Sequence, residues 1–365
     1  MLSVLVLYRC NYKNRTERMN EMNKKLLLPE ETIADLLASF DSGEDYEKLR
    51  NLLIKHLSEE EQADFKAIER GEKTPSLMSD IIAKKIFDPD FHPDRMNYLL
   101  REITGEDDVY VDSSNRNEGY IMASNSKKVV FDINTKLQDK RNVDLEFQIS
   151  AQNHFLKRGE IYGSDLLLFQ YSVEEGQKKK EVDYSDIKGV IIIFLMKHSP
   201  KELKEFESER YIHRFTENKS DSGLVFPSLT QYIYVQLDKC FEQFKLGADG
   251  ENNKRLQLLL SLMADSNDED VRKKIIGDEM FEDIISEANG MAAERTVLNM
   301  ILAEKYAAAD LNAVKNFERE EGQKELAEKL LKVGVTEEQL KKAGITEEQL
   351  KEARCNSKKN NNFEG

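Results

Sequence analysis

The sequence predicts an α/β protein, a mixed sheet flanked by helices with helical additions before and after it. Between residues 86 and 245, helix-spaced and strand-like stretches alternate, the pattern of a sheet layered with helices. Within that region VDLEFQ (143–148) alternates apolar and polar residues with period two, while IIIFL (191–195) is continuously apolar, as a strand covered on both faces is. Six prolines, no tryptophan and 34% charged residues among 365 describe a helix-rich, highly soluble chain.

Taken in order, residues 1–28 are expected to form a poorly ordered extension. Its apolar stretch LSVLVLY (2–8) is too short to span a bilayer and follows no basic region, so no signal peptide is expected. Residues 29–85 carry helix spacing in ETIADLLASF and YEKLRNLLIKHL, broken by DSGED and RGEKTPS, and read as a helical lead-in. The sheet-bearing domain spans 86–245. It is expected to hold a helix at Asp94–Ile103 and strands near 108–111, 119–124, 129–134 and 143–149. A long helix from Ala151 to Tyr171 and strands at 191–195 and 231–237 complete it.

Residues 246–355 turn helical and acidic through RLQLLLSLMAD, MFEDIISEA and ERTVLNMILAEKYAAADL. Near their end VTEEQLKKAG (335–344) repeats as ITEEQLKEAR (345–354). Each Thr can cap a short helix with a Gln three residues on, and Gly344 joins the two. Residues 356–365 form a low-complexity tail expected to be disordered. The helical regions are candidate surfaces for a homo-oligomer.

Three cysteines, Cys10, Cys240 and Cys355, follow no metal or redox spacing, which fits a reducing cytoplasm. No membrane span is expected. A net charge of −15 argues against generic duplex binding, whose affinity comes from cations displacing counterions at phosphates. Basic groups at 127–128, 140–141, 157–158 and 178–180 are expected to flank the site as a rim, leaving weak DNA affinity in the absence of another binding element.

The chemistry concentrates in two strands. Side chains alternate across a strand, so Val143, Leu145 and Phe147 face a core while Asp144, Glu146 and Gln148 share the other face. VVFDI (129–133) can bring Asp132 beside Glu146. Two carboxylates are a sufficient protein contribution for Mg²⁺ or Mn²⁺, ions that keep several waters. Asp132 and Glu146 are therefore the candidate metal ligands, and Glu118 in NEGYIMAS (117–124) is a second-tier carboxylate. Arg158 and Tyr162 lie four apart on the long helix and share a face, where a guanidinium and a phenol can contact a phosphate.

In these residues the chain resembles the PD-(D/E)XK nuclease superfamily, in its transposase-associated and recombination-promoting branch. FDPDFHPDRMNYLLREITG (87–105), the Asp132 strand, VDLEFQ, KRGEIYGSDLLLFQY (157–171), DYSDIKGVIIIFL (183–195) and YIHRF (211–215) occur in that family's order, over roughly residues 80 to 245. The resemblance implies a restriction-endonuclease-like core and a metal-dependent DNA endonuclease tied to recombination or mobile elements. It implies catalytic roles for Asp132, Glu146 and Gln148, and substrate contacts for Arg158 and Tyr162. Where the superfamily motif usually ends in Lys this chain has Gln148, an amide that can orient a water without lending it positive charge. The alternative is a nuclease-fold protein with little or no catalysis that binds nucleic acid or serves assembly.

Overall fold

A computed structural model describes residues 37, 44–114, 132–149, 155–170 and 184–309, together with 331, 336–342, 346–347 and 350. The extension at 1–28, the strand expected at 119–124 and the tail at 356–365 lie outside the described residues. The chain divides into two units, Ala63–Ile301 and a second built from Met1–Gln62 with Leu302–Gly365.

The larger unit carries the sheet. Its elements run α1 (Asp80–Ile86), α2 (Pro93–Thr104), β1 (Val111–Ser114), β2 (Ile133–Leu137), β3 (Asn142–Gln148) and α3 (Phe155–Phe169). They continue as β4 (Val190–Met196), β5 (Ile212–Lys219), β6 (Val225–Gln236), α4 (Leu237–Leu246), α5 (Lys254–Ala264), α6 (Glu269–Ile275) and α7 (Glu279–Ala292). Strand order is β1-β2-β3-β4-β6-β5. The pairs β1–β2, β2–β3 and β5–β6 are antiparallel, whereas β3–β4 and β4–β6 are parallel, giving the mixed sheet the sequence predicts.

Local chemistry explains the element boundaries. Pro93 opens α2 where a backbone donor is not needed, and Gly105 closes it at φ 77°, its N–H donating to Arg101 O at 2.8 Å. Every residue of β4 is buried, so VIIIFLM is the central strand covered on both faces. On one face α3 packs Phe155, Tyr162 and Leu166 against Val190, Ile192, Phe194 and Met196 of β4 and Tyr234 of β6. The opposite face buries Leu145, Ile191, Ile193, Leu195, Ile233 and Val235.

Two glycines set how closely α3 approaches. A Cβ on Gly163 would lie 2.5 Å from Thr230 Cγ2, and one on Gly159 would lie 3.2 Å from Phe194 Cε2. The bare backbone lets the helix sit against the sheet, and that closeness brings Arg158 within reach of β3.

Several boundaries differ from expectation. The long helix is described only over Phe155–Phe169, the first strand is Val111–Ser114, and the strand expected at 129–134 is described from Ile133. Strand β5 was not among the strands read from sequence. It is an edge strand whose residues are mostly exposed on both faces, so it carries no apolar alternation to read. Helices α1, α5, α6 and α7 fall in the same unit as the sheet. Arg95 of α2 pairs with Glu287 of α7 at 2.5 Å, with His92 at 3.0 Å from the same carboxylate.

In the second unit a helix, Glu44–His56, buries Leu53 and Ile54, and the His56 ring lies 4.5 Å from that of Tyr306. The two decapeptide repeats make matching bonds, Leu340 N–H to Thr336 O at 3.1 Å and Leu350 N–H to Thr346 O at 3.0 Å, and both leucines are buried. Among the described residues no helix is long and apolar enough to cross a membrane.

Candidate active site

The antiparallel register of β2 and β3 pairs Ile133 with Leu145 and Asn134 with Asp144. Continued by one residue it sets Asp132 opposite Glu146, on the face that also holds Asp144. Asp132 occupies a bend just before β2, not the strand itself. Its side chain explains the bend: Asp132 Oδ2 accepts the N–H of Phe147 at 2.8 Å, while its own N–H donates to Glu146 Oε1 at 3.2 Å.

Glu146 is fully buried, and its second oxygen accepts from Arg158 Nη2 at 2.5 Å. Arg158 Nε donates to the hydroxyl of Tyr162 at 2.8 Å, and the guanidinium carbon lies 4.9 Å from that ring's centroid. The i, i+4 spacing on α3 therefore does what a shared face permits, letting Arg158 bridge the Tyr162 hydroxyl and the Glu146 carboxylate. From the N-terminal side Lys84 of α1 places Nζ 2.8 Å from Asp80 Oδ1 and 3.9 Å from Asp132 Oδ1.

Two further polar groups of β3 point to the same face. Asp144 is fully buried beside Glu146 and, among the described residues, neither of its carboxylate oxygens accepts an N–H. Gln148, 4% exposed, leaves its Nε2 without an acceptor there. Buried polar atoms in this state are costly unless a ligand, ion or water completes them.

The electrostatics follow from crowding acids at a desolvated strand end. Burial, reinforced by the charge of Asp132 and opposed by Arg158, pushes Glu146 up to about 8. Burial also raises Asp132 above the ordinary carboxylate range, against the pull of the Phe147 N–H, Lys84 and Arg158. Asp144 is raised well above its usual value, first by burial and then by the charges of Glu146 and Asp132. Tyr162 is pushed up to about 12 by burial and by Glu146.

Of the residues read from sequence, the structure brings Asp132, Glu146, Arg158 and Tyr162 into one bonded chain and puts Gln148 on their face of β3. Glu118 lies outside the described residues, as do the lysines at 127–128 and 178–180. The expectation that residues 140–141 rim the site is corrected. Arg141 precedes β3, about 16 Å along the strand from Glu146. Its guanidinium is held by Glu106 and Asp139, and Lys140 by Asp112. Strand parity alone could have added Asp144 to the candidates. Lys84 could not be found that way, because its approach to Asp132 is a tertiary event.

Among the described residues no three His, Cys, Asp or Glu side chains are arranged to hold a metal ion.

A mixed sheet with parallel centre, flanked by helices and carrying acidic residues at the ends of two adjacent strands, defines the PD-(D/E)XK nuclease class. The profile described as PD-(D/E)XK nuclease family transposase matches residues 79–318, and the chain belongs to that family. Searches of curated proteins and of solved structures gave no match.

Proposed function

We propose that the protein is a divalent-metal-dependent DNA endonuclease that hydrolyses phosphodiester bonds in recombination or in the movement of mobile elements. One observation carries this reading. Glu146, fully buried in β3, and Asp132, partly exposed in the bend before the neighbouring strand, meet within the family match through interlocking hydrogen bonds. The donor set suits a hard cation, because carboxylate oxygens are the ligands such ions take. Asp132 and Glu146 would hold the ion. Bound there, Mg²⁺ or Mn²⁺ polarises a phosphoryl oxygen and lowers the pKa of bound water.

The remaining residues act on substrate. Gln148 orients the attacking water through its side-chain amide, and Arg158 with Tyr162 offers the donors that a scissile phosphate accepts. Glu118 stays a second-tier carboxylate of the site. DNA is the substrate of this proposal, the cytoplasm its setting, and the helical regions its surfaces for self-association.

A second reading, a nuclease-fold protein of little activity serving nucleic-acid binding or assembly, draws on a specific feature. Both oxygens of Glu146 already accept hydrogen bonds, from Asp132 and Arg158. Calorimetric titration of Mn²⁺ into wild type and Asp132→Ala separates the two. The endonuclease reading requires a binding heat that the variant loses; titrations without heat in either protein favour the second reading.

A further inference from the structure

The superfamily motif supplies a lysine at the position held here by Gln148, so β3 brings no cation to its own carboxylates. Arg158 is bonded to Glu146 and Tyr162 on the α3 face. Lys84 arrives from the other side. Phe87, which follows α1, stacks on Phe147 with ring centroids 6.3 Å apart, and Phe147 points to the face opposite Glu146. From that face Lys84 reaches the strand end where Asp132 lies, with its ammonium 3.9 Å from Asp132 Oδ1.

A purely structural role explains this placement poorly. The Asp80–Lys84 pair is an i, i+4 contact in which Asp80 is half exposed, a pair of the kind that contributes only a few tenths of a kcal/mol. Such a pair forms without the lysine turning towards Asp132. Lys84 is also withdrawn from water, with 28% of its side chain exposed. It nevertheless keeps its charge: burial pulls its pKa down, but Asp80, Asp132 and Glu146 outweigh that and raise it.

We propose that Lys84 takes the place of the missing motif lysine, supplying from α1 the fixed positive charge that contacts the scissile phosphate beside Asp132. This inference rests on the endonuclease reading. In the reaction a water oxygen forms a new bond to phosphorus and loses its proton to bulk water. The bond from phosphorus to the leaving sugar oxygen breaks, and that oxygen takes a proton from water. Negative charge grows on the phosphoryl oxygens between those two events, and an ammonium beside Asp132 stabilises it without changing its own protonation. Gln148 is then free to be an amide, because orientation and charge come from different elements.

The test uses the full chain with Mn²⁺ and a labelled duplex, comparing wild type, Lys84→Met, Lys84→Arg and Lys84→Met/Gln148→Lys. Loss of one such charge lowers kcat about 100-fold in Lys84→Met, with KM changed far less. Lys84→Arg retains part of the rate, and the double variant recovers at least about tenfold over Lys84→Met. Mn²⁺ affinity by calorimetry provides a readout that a scaffold role would leave unmoved: removing a cation next to Asp132 makes binding tighter in Lys84→Met. Wild-type cleavage matched within about threefold by Lys84→Met overturns this inference and leaves the endonuclease reading standing. Wild-type protein that never cleaves overturns both.

Discussion

Asp132 and Glu146 hold one another across the mouth of β2 and β3. The Asp132 N–H donates to Glu146 Oε1 at 3.2 Å, and the Asp132 carboxylate takes the N–H of Phe147, the residue after Glu146. Two acids that ought to repel are thus tied through backbone donors, leaving the cluster rich in acceptors. Helices on opposite faces then bracket the pair with one cation each, Lys84 at Asp132 and Arg158 at Glu146.

Metal affinity should climb with pH. A cation must displace the proton that burial keeps on Glu146 up to about 8. Calorimetry at pH 6, 7 and 8 should show Mn²⁺ binding tightening by up to roughly tenfold per pH unit and levelling above that range. Affinity that stays flat across the interval contradicts the proton competition.

The metal-free protein should behave in the opposite sense. Folded Glu146 keeps its proton to about 8, whereas the ordinary value is 4.5, so between those values the folded state binds more protons than the unfolded chain. Its contribution is present below the lower value and is lost as pH rises through the upper one. Urea unfolding in EDTA at pH 5 to 8 should show stability falling with pH, and Glu146→Gln should flatten the slope. An unchanged slope in that variant assigns the effect elsewhere.

Asp144→Asn should stabilise the metal-free fold at pH 8. The substitution keeps the shape and removes a buried acid that is crowded by the charges of Glu146 and Asp132 and accepts no N–H among the described residues. A gain of about 1–2 kcal/mol in urea unfolding is expected, the scale of an unsatisfied buried polar group. A loss of similar size would show that the carboxylate has a stabilising partner.

Gly163→Ala should loosen the α3 face of the site. Its Cβ would meet Thr230 Cγ2 at 2.5 Å and the Tyr232 hydroxyl at 3.0 Å, pushing the helix off the sheet and Arg158 off Glu146. Destabilisation of about 1–3 kcal/mol is expected, with slower cleavage. Gly290→Ala is the control: in α7 nothing lies within 4 Å of the added carbon, and helix propensity should make it stabilising by about 0.5–1 kcal/mol. Equal effects at the two glycines would rule out close approach as the reason for Gly163.

How much of this was legible in the sequence depends on whether the physics is local. Period-two alternation in 143–148 and the apolar run at 191–195 gave the strands, and strand parity put Glu146 and Gln148 on one face. The i, i+4 spacing of Arg158 and Tyr162 foretold a shared helix face, although not which carboxylate they would meet. Lys84 was silent because Asp80–Lys84 reads as an ordinary surface pair until the fold carries α1 to Asp132. Lys140 and Arg141 misled for the same reason in reverse: proximity in sequence suggested a rim, and their pairing with Asp112, Glu106 and Asp139 is visible only in three dimensions.

In the proposed reaction Asp132 and Glu146 together make the protein a metal-dependent nuclease. Single-turnover cleavage of a labelled duplex, with Mn²⁺ and with EDTA, by wild type, Asp132→Asn and Glu146→Gln tests it most directly. Wild type should cleave with Mn²⁺ and not with EDTA, and each variant should lose at least about 1,000-fold while staying folded. Metal-dependent cleavage that persists unchanged in both folded variants would contradict it.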